Sequence, residues 1–174
     1  LTVYPFVLTV SSASADKTLS DLIARAKASP GKLSYATAGN GSVHHLCSEL
    51  LNASAGIEIL HIPFKGGTAP LIELMAGRID MVCETMTAAL PHIQGGKLRA
   101  LGVASSERDK AMPDVPTIAQ TLPGFEVTSF NGIGVTGGTS PAIIERLNRA
   151  VREVLSTPDA QKRFVEFGGA PKAS

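Results

Sequence analysis

A chain of 174 residues with 44% hydrophobic content has room for one cored domain, or one domain with part of a second. A formal net charge of +1 leaves no basic footprint for nucleic acid, and 5% aromatic content argues against stacking platforms for bases or sugars. No apolar run approaches the roughly 18 residues of a membrane span, and the apolar start at Tyr4-Pro5-Phe6-Val7-Leu8 has no basic leader, so the expectation is a chain that begins inside a mature protein or has lost a targeting segment.

Strand-length apolar runs alternate with amphipathic stretches of helix length. Residues 6–10 predict a strand. Thr18-Leu19-Ser20-Asp21 is a capping box: the Thr hydroxyl accepts from the backbone near Asp21, and Asp21 reaches back. The helix it opens runs through Ala28 and stops at Ser29-Pro30-Gly31. A short strand over 33–36 precedes a helix over 42–55, whose apolar stripe is Val43, Leu46, Cys47, Leu50 and Leu51. The unit then repeats as a strand over 58–61, a helix over 68–76 with Pro70 in its first turn, a strand over 79–83, a helix over 85–94 and a strand over 98–104. Pro113, Pro116 and Pro123 mark a connection with a short helix after Pro116. Residues 125–135 are strand-like but interrupted at Asn131-Gly132. Ser140-Pro141 starts a helix to about Leu155, with Ile143, Ile144, Leu147, Val151 and Val154 expected inward and Glu145-Arg149 and Arg149-Glu153 as exposed pairs. Thr157-Pro158 opens a last helix, closed by Gly168-Gly169. This alternation predicts an α/β fold with a mostly parallel sheet flanked by helices, its ligands beyond the carboxyl ends of the strands.

The loops after the strands therefore hold the candidate site. Thr37-Ala38-Gly39-Asn40-Gly41-Ser42 joins a strand to a helix, so its glycines let the backbone approach a ligand and the helix start offers free N–H groups to a carboxylate or phosphate. A plain turn with Ser42 as N-cap fits the same residues. No Lys-Ser/Thr follows the glycines, and the third glycine of a dinucleotide fingerprint is missing. His45 lies opposite the apolar stripe and points to solvent or a cleft. Lys65-Gly66-Gly67 opens the next helix in the same manner, with Lys65 either paired to an anion or simply solvated. Glu84 falls at the carboxyl end of a strand, where it accepts from a ligand amine or hydroxyl, from water, or settles a helix first turn. Asp80 reads as structural. No metal cluster, no cofactor fingerprint, no serine-histidine-aspartate order and no paired acid/base carboxylates appear. Cys47 and Cys83 lie in apolar patterns and are expected to be buried and unbridged.

Three segments carry a resemblance. Ala38-Gly39-Asn40-Gly41-Ser42-Val43-His44-His45-Leu46, His61-Ile62-Pro63-Phe64-Lys65-Gly66-Gly67 and Ala89-Leu90-Pro91-His92-Ile93-Gln94-Gly95-Gly96-Lys97-Leu98-Arg99-Ala100-Leu101 resemble the solute-binding component of tripartite tricarboxylate transporters, the Bug family. Pro113-Asp114-Val115-Pro116-Thr117 and Phe125-Glu126-Val127-Thr128-Ser129-Phe130-Asn131-Gly132 look like two further motifs of it. The resemblance implies a fold like the type II periplasmic binding proteins, two α/β lobes around a cleft. Residues 9–122 would be a nearly complete second lobe, and residues 1–8 and 123–174 the crossover and part of the first. It implies a periplasmic receptor, not an enzyme and without a cofactor, that hands a dicarboxylate, amino acid or aromatic acid to membrane permease subunits. The implied ligand shell is Thr37, Ala38, Gly39, Asn40, Gly41, Ser42 and the family-type His45, with Gly66, Gly67, Glu84 where the family commonly has Asp or Asn, and Phe130 where it often has Trp or Tyr. Two other classes compete: an effector-binding sensor of a transcription regulator, which needs a helix-turn-helix not found here, and an enzyme acting on a small acid, which needs a nucleophile–base pair.

Overall fold

The structure, a computed structural model, describes residues 2–166 and 170–171. Gly168-Gly169, expected to close the last helix, lie outside the described residues. Strand β1 (Thr2–Ser11) is followed by α1 (Leu19–Ala28), β2 (Ser34–Thr37), α2 (Val43–Ala55), β3 (Leu60–Pro63), α3 (Ala69–Met75), β4 (Val82–Thr85), α4 (Met86–Gln94) and β5 (Leu98–Val103). A 3-10 turn at Ile118–Gln120 leads to β6 (Thr128–Asn131), α5 (Pro141–Ser156), α6 (Pro158–Glu166) and β7 (Ala170–Pro171).

β2 and β3 pair in parallel from Ser34 opposite Leu60 to Thr37 opposite Pro63, and a parallel bridge between Tyr35 and Met81 joins β2 to the β4 side. β1 lies between β4 and β5 and is antiparallel to both. Strands β2 to β5 thus share the direction expected from strand–helix alternation, and β1 runs against them. The crossover rule that makes neighbours parallel acts on strands joined by one helix. β1 is joined by α1 to β2, which is not its neighbour in the sheet, so that rule leaves its direction free. Residues 6–10 are buried on both faces of the sheet, which is why they read as a continuous apolar run. Phe6, Leu8 and Val10 pack with Tyr35, Leu51, Met81 and Leu101 on one face, while Val7 meets Met86, Leu90 and Val103 on the other. Gly102 has a steric reason, since a Cβ there would lie 2.9 Å from Ile118 Cγ1 of the 3-10 turn.

The first half of β1 leaves the sheet. Thr2 to Pro5 pair with Asn131 to Thr128 of β6, and Val3 also meets Ala170 of β7. Because Phe6 stands opposite Thr85, this ribbon rises from the carboxyl end of β4.

The capping box of α1 forms as expected: Asp21 N–H donates to Thr18 Oγ1 at 3.2 Å and Thr18 N–H to Asp21 Oδ2 at 2.8 Å. Arg25 of α1 bridges buried Asp16 at 2.7 Å and Asp80 at 2.8 Å. Asp80 also accepts from Ser34 N–H at 2.8 Å, so its role is structural, fastening α1 to the start of β2.

Four expectations are corrected. Cys47 and Cys83 form a disulfide, with Cα atoms 6.4 Å apart. A separation of 36 residues carries no pairing signal; α2 crossing the back of β4 brings the two buried thiols together. On α2, Leu46 is 60% exposed and Leu50 is exposed, while Cys47, Ser48, Leu51 and Ala55 form the buried face. On α5, Ile143, Ile144, Leu147 and Val154 are exposed, and Leu155 alone is buried. Neither Glu145-Arg149 nor Arg149-Glu153 forms an ion pair among the described residues; the i,i+4 pairs lie on α6, between Arg163 and Asp159 and between Lys162 and Glu166.

Candidate functional site

The shared direction of β2, β3 and β4 places Thr37, Pro63 and Thr85 at one edge of the sheet. The two glycine loops adjoin there, tied by Phe64 N–H donating to Thr37 O at 2.9 Å. Thr37 is fully buried, and its Oγ1 accepts from Gly39 N–H at 3.2 Å and lies 2.7 Å from His61 Nε2. Gly39 and Gly41 hold φ of +132° and +75°, values that favour glycine. Ser42 caps α2, as expected: its Oγ accepts from His45 N–H at 3.3 Å and donates to Gly39 O at 2.7 Å.

The expected donors are thereby redistributed. The amides of Gly39, Gly41 and Ser42 are engaged by Thr37 Oγ1, His45 Nδ1 at 3.1 Å and Gly39 O at 3.3 Å. The amides of Val43 and His44, in the first turn of α2, and of Asn40 in the loop before it have no protein acceptor among the described residues. His45 Nδ1 accepts from Gly41, so the neutral ring carries its proton on Nε2 and presents it as a donor. Sequence reasoning found His45 but not this tautomer, because only the fold brings the ring back over Gly41.

The rings of His45, His61 and Tyr35 form a stack. His45 and His61 are 4.1 Å apart at 20°, and His61 and Tyr35 are 4.9 Å apart at 15°. Burial, and next the neighbouring His45, hold the His61 imidazole below its ordinary pKa. Burial pushes the Tyr35 phenol up, helped by its hydrogen bond to Glu49. The uncharged forms of His61 and Tyr35 are favoured here, and a ligand anion is met by N–H donors and the α2 dipole.

Glu84 is almost wholly buried, its side chain 3% exposed. Its Oε1 lies 2.8 Å from His44 Nε2 and accepts from Thr85 N–H at 2.7 Å. Phe6 packs edge-on against the His44 ring at 5.2 Å. This pair was not foreseen. Its signal was present in part, since His44 and Cys47 share one face of α2 and Cys83 and Glu84 are adjacent on β4.

The remaining candidates are looser. Gly66, Gly67 and Lys65 are exposed, and Thr68 makes no side-chain cap to α3. Phe130 sits opposite Val3 on the ribbon and is 76% exposed. An apolar hollow of about 480 Å³ between Leu147, Val151, Val154 and Phe164 lies away from the glycine loops and offers little but carbon. No group of metal-ligating side chains occurs among the described residues, and among them no helix is long and apolar enough to cross a membrane.

The whole chain, residues 1–174, matches the tripartite tricarboxylate transporter family receptor. A protein of the tcbD-tcbE intergenic region of Pseudomonas sp. (strain P51) is 39% identical over 97% of this chain, which spans 52% of that relative's length. An R. palustris protein determined with adipate superposes with a TM-score of 0.97 at 30% identity, covering 100% of this chain and 58% of its own. MatC from Rhodopseudomonas palustris with bound malate gives a TM-score of 0.90 at 34% identity, covering 98% of this chain and 58% of its own. The layered α/β fold expected from the sequence is the fold of these neighbours.

Proposed function

Because this chain belongs to the tripartite tricarboxylate transporter receptor family, we propose that it is the ligand-holding part of a periplasmic receptor that captures a small organic carboxylate and leaves it chemically unchanged. The observation that carries this reading is the set of unengaged donors at the carboxyl edge of the sheet: the amides of Asn40, Val43 and His44, joined by His45 Nε2–H. They suit a carboxylate for two reasons. They are donors only, and they sit at the positive end of α2. Neighbours determined with adipate and malate support the same ligand class.

In this reading Thr37, Ala38, Gly39, Gly41 and Ser42 shape the loop, Asn40 and His45 donate, Gly66 and Gly67 border it, and Glu84 and Phe130 face other parts of the acid. Residues 9–122 serve as the second lobe, and residues 1–8 and 123–174 as the crossover and part of the first. The captured acid, a dicarboxylate, amino acid or aromatic acid, passes to membrane permease subunits. One helix terminus supplies roughly 0.3–2 kcal/mol, and micromolar affinity needs about 8 kcal/mol. Most of the affinity therefore comes from enclosing the ligand between two lobes.

Calorimetry on the natural gene product, against dicarboxylates, aromatic acids and amino acids, tests the proposal. Saturable binding of one class, with the acid recovered unaltered by mass spectrometry, is the expected result. A new product would replace the receptor by an enzyme, and no binding to any acid would end the receptor reading.

A further inference from the structure

We infer that Glu84 is a second polar contact for the bound acid and takes a hydrogen bond from an N–H or O–H group of the ligand, narrowing the ligand class to carboxylates that also carry a hydroxyl or ammonium group. This rests on the receptor reading above.

The two oxygens of Glu84 are unequal. Oε1 is engaged twice, by Thr85 N–H and by His44 Nε2. Oε2 is buried with no hydrogen-bond partner among the described residues. Carboxylates taken out of water are held by donors to both oxygens or become costly, and an orphaned buried acceptor marks a missing partner. The described residues do not supply that partner. Among the described residues the only ionic partner of Glu84 is His44, whose Nδ1 is likewise buried and unpartnered. Phe6, edge-on against the His44 ring, donates nothing to the pair.

Position supplies the other half of the argument. Glu84 and Thr85 end β4 at the sheet edge that carries the glycine loops, and His44 is the second residue of the helix those loops begin. The terminal torsion of a glutamate is soft, so the bare oxygen turns toward a donor without a change of rotamer. An acid whose carboxylate lies on the first turn of α2 thus meets a hydrogen-bond acceptor on the neighbouring strand. A hydroxyl or ammonium fits there. A second carboxylate is repelled by the like charge.

Matched acids differing only in the donor test this on the natural gene product at about pH 7.5: propionate, lactate and alanine; succinate, malate and aspartate; phenylacetate and mandelate. In whichever set binds, the donor-bearing member is expected to be at least about tenfold tighter, the change that 1.4 kcal/mol produces. Glu84→Gln, which keeps the shape, should reduce that preference to below about threefold. Donor-free acids binding as tightly as their partners to the unaltered protein would overturn the inference while leaving the receptor reading standing. So would an equal loss for every acid in Glu84→Gln. If none of a wider acid panel binds, the receptor reading falls first and this inference with it. The comparison within the unaltered protein decides the matter even if the variant fails to fold.

Discussion

The mixed sheet with α1 to α4 and the stretch formed by α5 and α6 obey the same amphipathic grammar and end with opposite surfaces. In the first region most apolar residues are interior: Leu8, Leu22, Ala26, Leu51, Leu74 and Leu90 are buried, with Leu60 of β3 among the exceptions. In the second, α5 has a sharper separation of apolar and polar faces, yet Ile143, Ile144, Leu147 and Val154 stand exposed. The pattern of a helix states which face seeks cover. Whether cover is present depends on other segments, so an apolar stripe fixes orientation and leaves burial open.

The widest contrast should appear in truncations. Leu22→Ala is expected to cost roughly 2–5 kcal/mol, and Leu147→Ala to stay within about 0.5 kcal/mol, in urea unfolding. Similar losses at both positions would erase the distinction between the regions. Next in size is the covalent tie confined to the first region. Replacing both Cys47 and Cys83 by Ser, or reducing their bond, opens a loop of 36 residues and should lower stability by roughly 2–4 kcal/mol. Thiol titration checks the tie directly, because the only two cysteines of the chain should be silent in denaturant and both reactive after reduction.

The glycine loops allow a finer comparison. Gly41→Val faces no atom within 4 Å but inherits a φ of +75°, so a strain of roughly 1–2 kcal/mol is expected. Gly67, with open space and no positive φ, should accept Val within about 0.5 kcal/mol. Equal effects would mean that the loop adapts its backbone to the side chain.

The smallest effect concerns pH. The folded pKa of His61 lies below its ordinary 6.5, because burial and His45 disfavour its charged form. The unfolded chain therefore takes up the proton first as pH falls. The contribution of His61 is complete above 6.5 and is lost as pH drops below it through the folded pKa. Melting curves should shift down over that interval, and His61→Gln should flatten the shift. A shift unchanged in the variant would move the cause to another histidine.

The order and type of the elements were legible because periodicity and capping are local. The box at Thr18 and Asp21, the cap at Ser42 and the proline start of α5 all lie within four residues of what they control. The direction of β1 was not legible, since its neighbours β4 and β5 lie far along the chain and an apolar run looks the same in either direction. The disulfide escaped for the same reason. On α2 the reading went wrong through Ser48 and His44, polar residues turned toward the sheet, with leucines at 46 and 50 left outside. His44 faces Glu84, and that contact could not be seen without the strand beneath it. The glycine loops were found, but the assignment of their donors needed the distance between Gly41 and His45.

One consequence of β1 is mechanical. A single ten-residue strand has one half in the ribbon with β6 and the other between β4 and β5. A pull applied through the ribbon travels along β1 and meets the two ladders sideways. Ladder hydrogen bonds lie across the strand axis, so such a load is carried in shear by all of them together, whereas a pull on β5 from its free side would open them one after another. The ribbon is anchored by the most force-resistant attachment that a sheet provides.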